Sequence, residues 1–179
     1  DIKPKNLTDA EKKEVFANTK GWVREAGSIL SGNGNTSADP EVLVAIGGLS
    51  ANMGSANITE LEFITTAFDK SDGGTLQVRA RFNEPVTVTG TPQLTVVNDS
   101  RANHTLSYAS GSTTNELVFS LTIAAANSAT NAGDELSLGA NAISLNGGTI
   151  KDTGQSGTNA TITNAAGIGT AAGTITVTA

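Results

Sequence analysis

Residues 74–90, GTLQVRARFNEPVTVTG, constrain the fold more than any other part of the sequence. Apolar and polar side chains alternate from Leu76 to Phe82, which is the period-two pattern of a strand with one buried face. Pro85 has no backbone N–H to give to a sheet ladder, so we expect the strand to end or bulge at NEP before the alternation resumes at Val86. The stretch predicts one strand of a β-sandwich and brings no reactive group with it.

Shorter alternating segments, separated by turn residues, continue this pattern to the end of the chain. Seven or eight strands spaced roughly 8–12 residues apart are typical of an antiparallel sandwich. Residues 50–57 form the expected joint between an N-terminal unit (residues 1–56) and the sandwich domain (residues 57–179). A tight hairpin turn is predicted at residues 146–148, NGG. Besides the central stretch, the predicted strands are residues 58–66, 93–98, 105–109, 116–123, 135–138, 142–145 and 174–179.

The N-terminal unit begins with the signal of a helix start. Thr8 and Glu11 have the spacing of a capping box, in which the hydroxyl caps the first turn and the carboxylate reaches back. We therefore expect a short helix over residues 9–18, with Val15 and Phe16 as its only large apolar side chains. So narrow an apolar stripe does not stabilise an isolated helix, and the segment requires a surface to dock on.

A hairpin is predicted next, between the segment around Trp22 and the apolar run at residues 41–49, EVLVAIGGL. Valine and isoleucine favour a short buried strand in that run, and its two glycines would break a helix early. A helix remains the alternative, because Asp39 and Pro40 suit the N-cap and the first helical position.

The composition argues against several classes of function. Only 4% of the residues are aromatic, and small residues supply much of the apolar content, so we expect a thin core. The net charge of −6 argues against nucleic acid and against an anionic membrane surface as partners. No apolar run approaches the ~20 residues of a membrane span. Without cysteine there are no disulfides, thiolate nucleophiles or cysteine metal sites.

Few residues offer catalytic chemistry. His104 is the single histidine, lacks a plausible base partner and is interpreted as a polar residue of a surface strand. Glu60 and Glu62 lie two apart on one strand and are expected to face solvent rather than flank a sugar cleft. These patterns predict a protein that is not an enzyme and has no cofactor.

One loop has the character of a calcium site. Asp69 and Asp72 are oxygen ligands beside a glycine bend, but they lack the bidentate acid of an EF-hand. We favour a plain hairpin turn here and predict no metal. Under the alternative, the acids that would complete the site from other loops are Asp99, Asp134 and Glu135.

Three segments occur in a characteristic order: FNEPVTVTGTPQL at residues 82–94, the LVF strand at residues 117–119, and LNGGTIKD at residues 145–152. Together they resemble bacterial immunoglobulin-like (Big-type) repeat domains, and the resemblance covers residues 58–179. It implies an immunoglobulin-like antiparallel β-sandwich with an adhesive or structural role and no catalytic residues. Such modules occur in bacterial surface adhesins and in virion proteins of tailed phages.

The N-terminal segments GWV and EVLVAIGGL resemble short segments of marine-phage structural proteins. We therefore expect a virion structural protein, in particular a capsid decoration (cement) protein. Its expected partners are capsid or other virion proteins, further copies of itself on the particle, and host-surface glycans. The alternatives are a bacterial cell-surface adhesin module that binds carbohydrate or protein, and a phage tail or fibre protein. The predicted anchoring residues are Val15, Phe16, Trp22, Val42, Leu43, Val44 and Ile46.

Overall fold

The computed structural model describes residues 3–28, 30, 34–155 and 157–179. Strands account for 44% of the structure and helices for 8%, so the predicted all-β class is confirmed. The described residues form one sheet of three strands and one sheet of ten. The small sheet belongs to the N-terminal unit and the large sheet to the remainder of the chain.

The N-terminal unit combines a capped helical turn with a small antiparallel sheet. Its elements are α1 (Asp9–Lys13), β1 (Val15–Asn18), β2 (Gly21–Arg24), β3 (Glu41–Ala45) and α2 (Leu49–Asn52). The Thr8 hydroxyl accepts the Glu11 backbone N–H at 3.2 Å, and the Glu11 carboxylate accepts the Thr8 N–H at 2.8 Å. The predicted capping box is therefore confirmed. The strand order is β1-β2-β3, which places β3 at one edge.

The helix is shorter than the sequence predicts. It ends at Lys13, and Val15 and Phe16 lie in β1, so the predicted helical span of residues 9–18 is wrong. β-branched and aromatic side chains fit a pleated sheet, and pairing with β2 outweighs continuation of the helix. The predicted hairpin is confirmed, because β2 pairs antiparallel with β3.

The large sheet curls into a half-barrel. Most of its strands pair one after another in a single order, and two further strands pair beside them. Its strands are β4 (Ile58–Phe63), β5 (Phe68–Asp69), β6 (Gly74–Thr89), β7 (Gln93–Asn98), β8 (His104–Ser110), β9 (Thr114–Ile123), β10 (Glu135–Ser137), β11 (Ile143–Ser144), β12 (Thr149–Asp152) and β13 (Ile175–Thr178). A short helix, α3 (Ala166–Thr170), precedes the last strand. The path is β12-β6-β9-β8-β7-β10-β13-β5, with β4 beside β6 and β11 beside β7. The pairs are antiparallel except β13–β5.

Strand β6 is central to this sheet, as its sequence predicts. Its ladder with β9 is interrupted after Arg81, and regular pairing resumes at Val86, so the predicted irregularity at NEP is confirmed. A turn also forms at residues 146–148, where the Gly148 N–H donates to the Leu145 carbonyl at 2.8 Å. The flanking strands do not form the predicted hairpin, because β11 pairs with β7 and β12 pairs with β6. Burial against these neighbours outweighs the local turn preference.

The core lies inside the curled sheet. Phe82 and Phe119 are its largest fully buried side chains, and the rings of Tyr108 and Phe119 meet edge to face at 6.3 Å. A separate, smaller apolar cluster occupies the N-terminal unit. The two parts of the chain therefore have separate cores.

Candidate docking surface and the joint beneath it

Strand β3 is the outer edge of the N-terminal sheet, and two of its valines, together with the isoleucine that follows the strand, remain in water. Val42, Val44 and Ile46 are 43%, 40% and 42% exposed, and we call these three residues the apolar edge. Covering exposed aliphatic surface is favourable by about 25 cal/mol for each Å² removed from water. Among the described strands β3 pairs with β2 alone, so its second side is open to a partner.

The predicted anchoring residues do not share one surface. Val15 and Trp22 are buried in the small cluster, Leu43 packs against that cluster, and Phe16 is buried at the cleft that faces the large sheet. These four side chains support the N-terminal unit from within. The apolar edge alone is available to a partner, and the sequence did not distinguish it from the inward residues.

A bulge explains the irregular burial along β3. Trp22 opposes Val44 and Val23 opposes Val42, which leaves Leu43 without an opposite residue. A bulge twists an edge strand and protects it from indiscriminate strand pairing. The edge therefore favours contacts through its side chains over simple extension of the sheet.

An ion-pair network joins the N-terminal unit to the large sheet. Arg81 Nε lies 2.6 Å from Glu116 Oε1, and Arg81 Nη1 lies 2.9 Å from Glu60 Oε2. The N-terminal unit contributes Glu25, whose Oε1 is 3.6 Å from Arg81 Nε, and Lys13, whose Nζ is 2.6 Å from Glu60 Oε1. One guanidinium thus holds carboxylates from the segment after β2, from β4 and from β9.

The prediction that Glu60 and Glu62 face solvent is wrong for Glu60, whose side chain is 12% exposed, whereas that of Glu62 is 40% exposed. Glu60 is held between Arg81 and Lys13, and Glu62 accepts from Arg79 Nη2 at 2.7 Å. Both lie on β4, where antiparallel pairing with β6 places them opposite the two arginines. The alternation correctly placed Glu60 and Glu62 on one face of β4, but their arginine partners are distant in sequence.

The network shifts the pKa values of Glu25 and Arg81. Burial, followed by the nearby charge of Glu116, raises the pKa of Glu25 from 4.5 to about 7. Burial disfavours the charge of Arg81. Its hydrogen bond with Glu116 and the attraction of the Glu25 and Glu116 carboxylates nevertheless hold its pKa above the ordinary value. The joint therefore contains one carboxyl group that titrates near neutral pH.

A cleft of about 530 Å³ opens beside the network. Phe16 and Pro40 from the N-terminal unit and Pro85 from β6 contribute apolar wall, and Asn115 Nδ2 donates to Glu25 Oε1 at 3.2 Å. Because the cleft carboxyls are engaged by Arg81 and Asn115, the arrangement favours a structural joint over an acid–base pair acting on a substrate.

The loops considered for calcium are satisfied by protein groups. Asp134 accepts from Asn98 Nδ2 at 2.9 Å and from the Ser100 hydroxyl at 2.7 Å. Asp69 accepts the backbone N–H of Ser71 at 2.7 Å. Within the described ranges there is no group of three or more histidine or acidic residues placed to hold a metal ion.

The placement of His104 on a surface strand is wrong. The side chain is 4% exposed, its Nε2 has no hydrogen-bond partner, and burial lowers its pKa. It begins β8 opposite Val96, so it faces the inside of the sheet. A neutral imidazole in this position packs as a core side chain.

No helix in the part of the chain that the structure describes is long and apolar enough to span a membrane. Comparisons with protein-family models, with curated proteins and with solved structures each found no match. The resemblance to Big-type repeats therefore stays a prediction that rests on its three segments.

Proposed function

We propose that this chain is a non-enzymatic structural protein that attaches to a virion as a capsid decoration protein, with the apolar edge against the capsid protein. The observation that carries the proposal is the exposure of Val42 and Val44 on the edge strand β3 and of Ile46 directly after it. Contiguous apolar surface of this kind is a feature of protein-interaction sites.

The ion-pair network connects the proposed attachment surface of the N-terminal unit to the large sheet. Glu25 and Lys13 tie the N-terminal unit to Arg81 and Glu60 of the large sheet. A partner bound at the apolar edge would therefore hold the large sheet in a defined orientation. We also propose that the large sheet is an immunoglobulin-like module that projects from the particle, on the strength of its three motif segments.

The proposal is tested by rebinding the full chain to particles stripped of it. The variant Val42→Ser/Val44→Ser/Ile46→Ser is expected to lose at least tenfold in affinity, because it removes the apolar surface without touching the core. Ile64→Ser is the matched control, since Ile64 is 41% exposed on the large sheet. Circular dichroism checks that both variants fold. Rebinding of the triple variant with wild-type affinity would overturn the proposal.

A second candidate function is an adhesin module that binds glycans. It is favoured by a row of uncharged side chains across four strands, in which Gln77 opposes Ser120, Ser120 opposes Ser107, and Ser107 opposes Gln93. Amides and hydroxyls both donate and accept hydrogen bonds, as sugar hydroxyls require. A glycan array with the wild-type chain and with Gln77→Ala/Gln93→Ala tests this candidate, which requires signal from the first and loss from the second.

A further inference from the structure

Two carboxyl groups lie buried in the large domain without a counter-charge. Glu84 is 0% exposed and Asp152 is 1% exposed. None of the ion pairs in the described chain includes either residue. A buried carboxylate normally has a charged partner, coordinates a metal, or becomes protonated.

The two groups differ in how well they are satisfied. Asp152 Oδ2 accepts the Ala56 N–H at 3.0 Å, and its Oδ1 accepts the Gln155 N–H at 2.8 Å. Glu84 Oε1 has one long contact, 3.4 Å from Asn83 Nδ2, and Oε2 has no hydrogen-bond partner. A fully buried, unpartnered carboxylate oxygen requires an explanation. Hydrogen bonds from the protein satisfy Asp69 and Asp134, whereas Glu84 Oε2 receives none.

The sheet topology brings the two carboxyls together. Asp152 opposes Val86 in the β12–β6 ladder, and the Thr153 N–H donates to the Pro85 carbonyl at 3.0 Å, one residue from Glu84. Burial, with an added contribution from the Asp152 charge, raises the pKa of Glu84 to about 7. The carboxyl of Glu84 thus lies within electrostatic reach of a second buried negative group.

We propose that a divalent cation, Ca²⁺, binds between Glu84 and Asp152. Calcium takes six to eight oxygen ligands in flexible geometry, so two carboxylates can supply the charge while backbone carbonyls and water complete the shell. Because Asp152 also holds the Ala56 N–H, the bound ion would fasten the joint between the N-terminal unit and the large sheet.

Thermal unfolding of the full chain, freed of metal by EGTA and dialysis, tests the proposal. Adding CaCl2 to about 100 times the dissociation constant is expected to raise Tm by roughly 5–10 °C. Isothermal titration calorimetry should give one site per chain. Unchanged Tm together with no heat of binding would overturn the proposal and leave a protonated Glu84 as the explanation.

Variants locate the ion. Glu84→Gln is expected to abolish the response of Tm to CaCl2, whereas the exposed control Asp72→Asn should keep it. If Glu84→Gln fails to fold, Glu84→Asp keeps the charge but withdraws its oxygens by one methylene, and should bind Ca²⁺ at least tenfold more weakly. Unaltered affinity in Glu84→Asp, or loss of the response in Asp72→Asn alone, would place the ion elsewhere and refute the assignment.

Discussion

The two sheets of this chain bury their apolar side chains to different degrees. The large sheet curls around a continuous core and leaves little more than Ile64 and Leu145 as large exposed aliphatic side chains. The small sheet has a core built on Val15, Ala17 and Trp22, and its outer strand remains in water. The large sheet therefore has an extensive core of its own, whereas the small sheet has few buried side chains and packs on its neighbour through the joint.

The sequence provides a separate optical probe for each region. Trp22 is the only tryptophan and lies in the N-terminal unit, while Tyr108 is the only tyrosine and lies in the large sheet. Unfolding followed at both side chains reports whether the two regions separate. This difference in signal is the basis of the following predictions.

The largest effect is expected from the core of the large sheet. Phe82→Ala should lower the free energy of unfolding by about 3–5 kcal/mol, because the ring is 1% exposed and leaves a cavity. Urea unfolding should shift at both Trp22 and Tyr108, since the N-terminal unit docks on this sheet. Val15→Ala is the control in the small sheet, because Val15 belongs to the separate N-terminal cluster, and it should move the Trp22 transition alone. A shift at Tyr108 of the same size in the control would mean that the two regions share one core.

Removing the guanidinium at the joint should separate the two regions. Arg81→Met removes the cation that Glu25, Glu60 and Glu116 share. Glu60 keeps Lys13 and Glu116 keeps Arg79, so the expected cost to docking of the N-terminal unit is about 1–3 kcal/mol. The Trp22 transition should then precede that of Tyr108 in urea. Arg101→Met is the control, because Arg101 is 38% exposed and its nearest carboxylate is 4.0 Å away. Coincident transitions in Arg81→Met would show that the network does not hold the joint.

The joint should also weaken as the pH rises from acid to neutral. Because the folded-state pKa of Glu25 is raised to about 7, its contribution is complete below the unfolded value of 4.5 and is lost as pH rises through 7. Its side chain is 19% exposed, so solvent screening reduces the loss to on the order of 1–2 kcal/mol. Urea midpoints at Trp22 between pH 5 and pH 8 measure this slope. Glu25→Gln should flatten it, and an equal slope in that variant would assign the titration to another group.

Local pattern predicted much of the fold. The period-two alternation of residues 74–89 and the turn residues around it identified β6 and its irregularity at NEP, because both depend on neighbouring residues alone. The end of α1 was wrong because Val15–Asn18 pair with β2, the next segment of the chain, and the capping signal does not show where the helix stops. The pairing at residues 146–148 was wrong because β11 and β12 pair with β7 and β6, which are far away in the chain.

The candidate site was predictable only in outline. The apolar run at residues 41–49 marked the strand, and its alternation places Leu43 on the opposite face from Val42 and Val44, but the run does not show which face packs on the N-terminal cluster. The ion pairs of Arg81 were missed because its carboxylates come from distant segments, and single residues of opposite charge give no periodic signal. The sequence therefore indicates where the strand lies, but not which of its two faces is exposed.

The smallest expected effect lies at the apolar edge. Val44→Thr should change the free energy of unfolding by less than about 0.5 kcal/mol, because the side chain is 40% exposed and its new hydroxyl can bind water. Val23→Thr, the matched change at a 0% exposed position beside it, should cost about 1–3 kcal/mol by burying an unpaired hydroxyl. Urea unfolding followed at Trp22 measures both. Equal losses would mean that Val44 belongs to the chain's own core, and the docking surface would lose its basis. A near-neutral Val44→Thr would instead show that folding does not require a valine there, as the docking proposal expects.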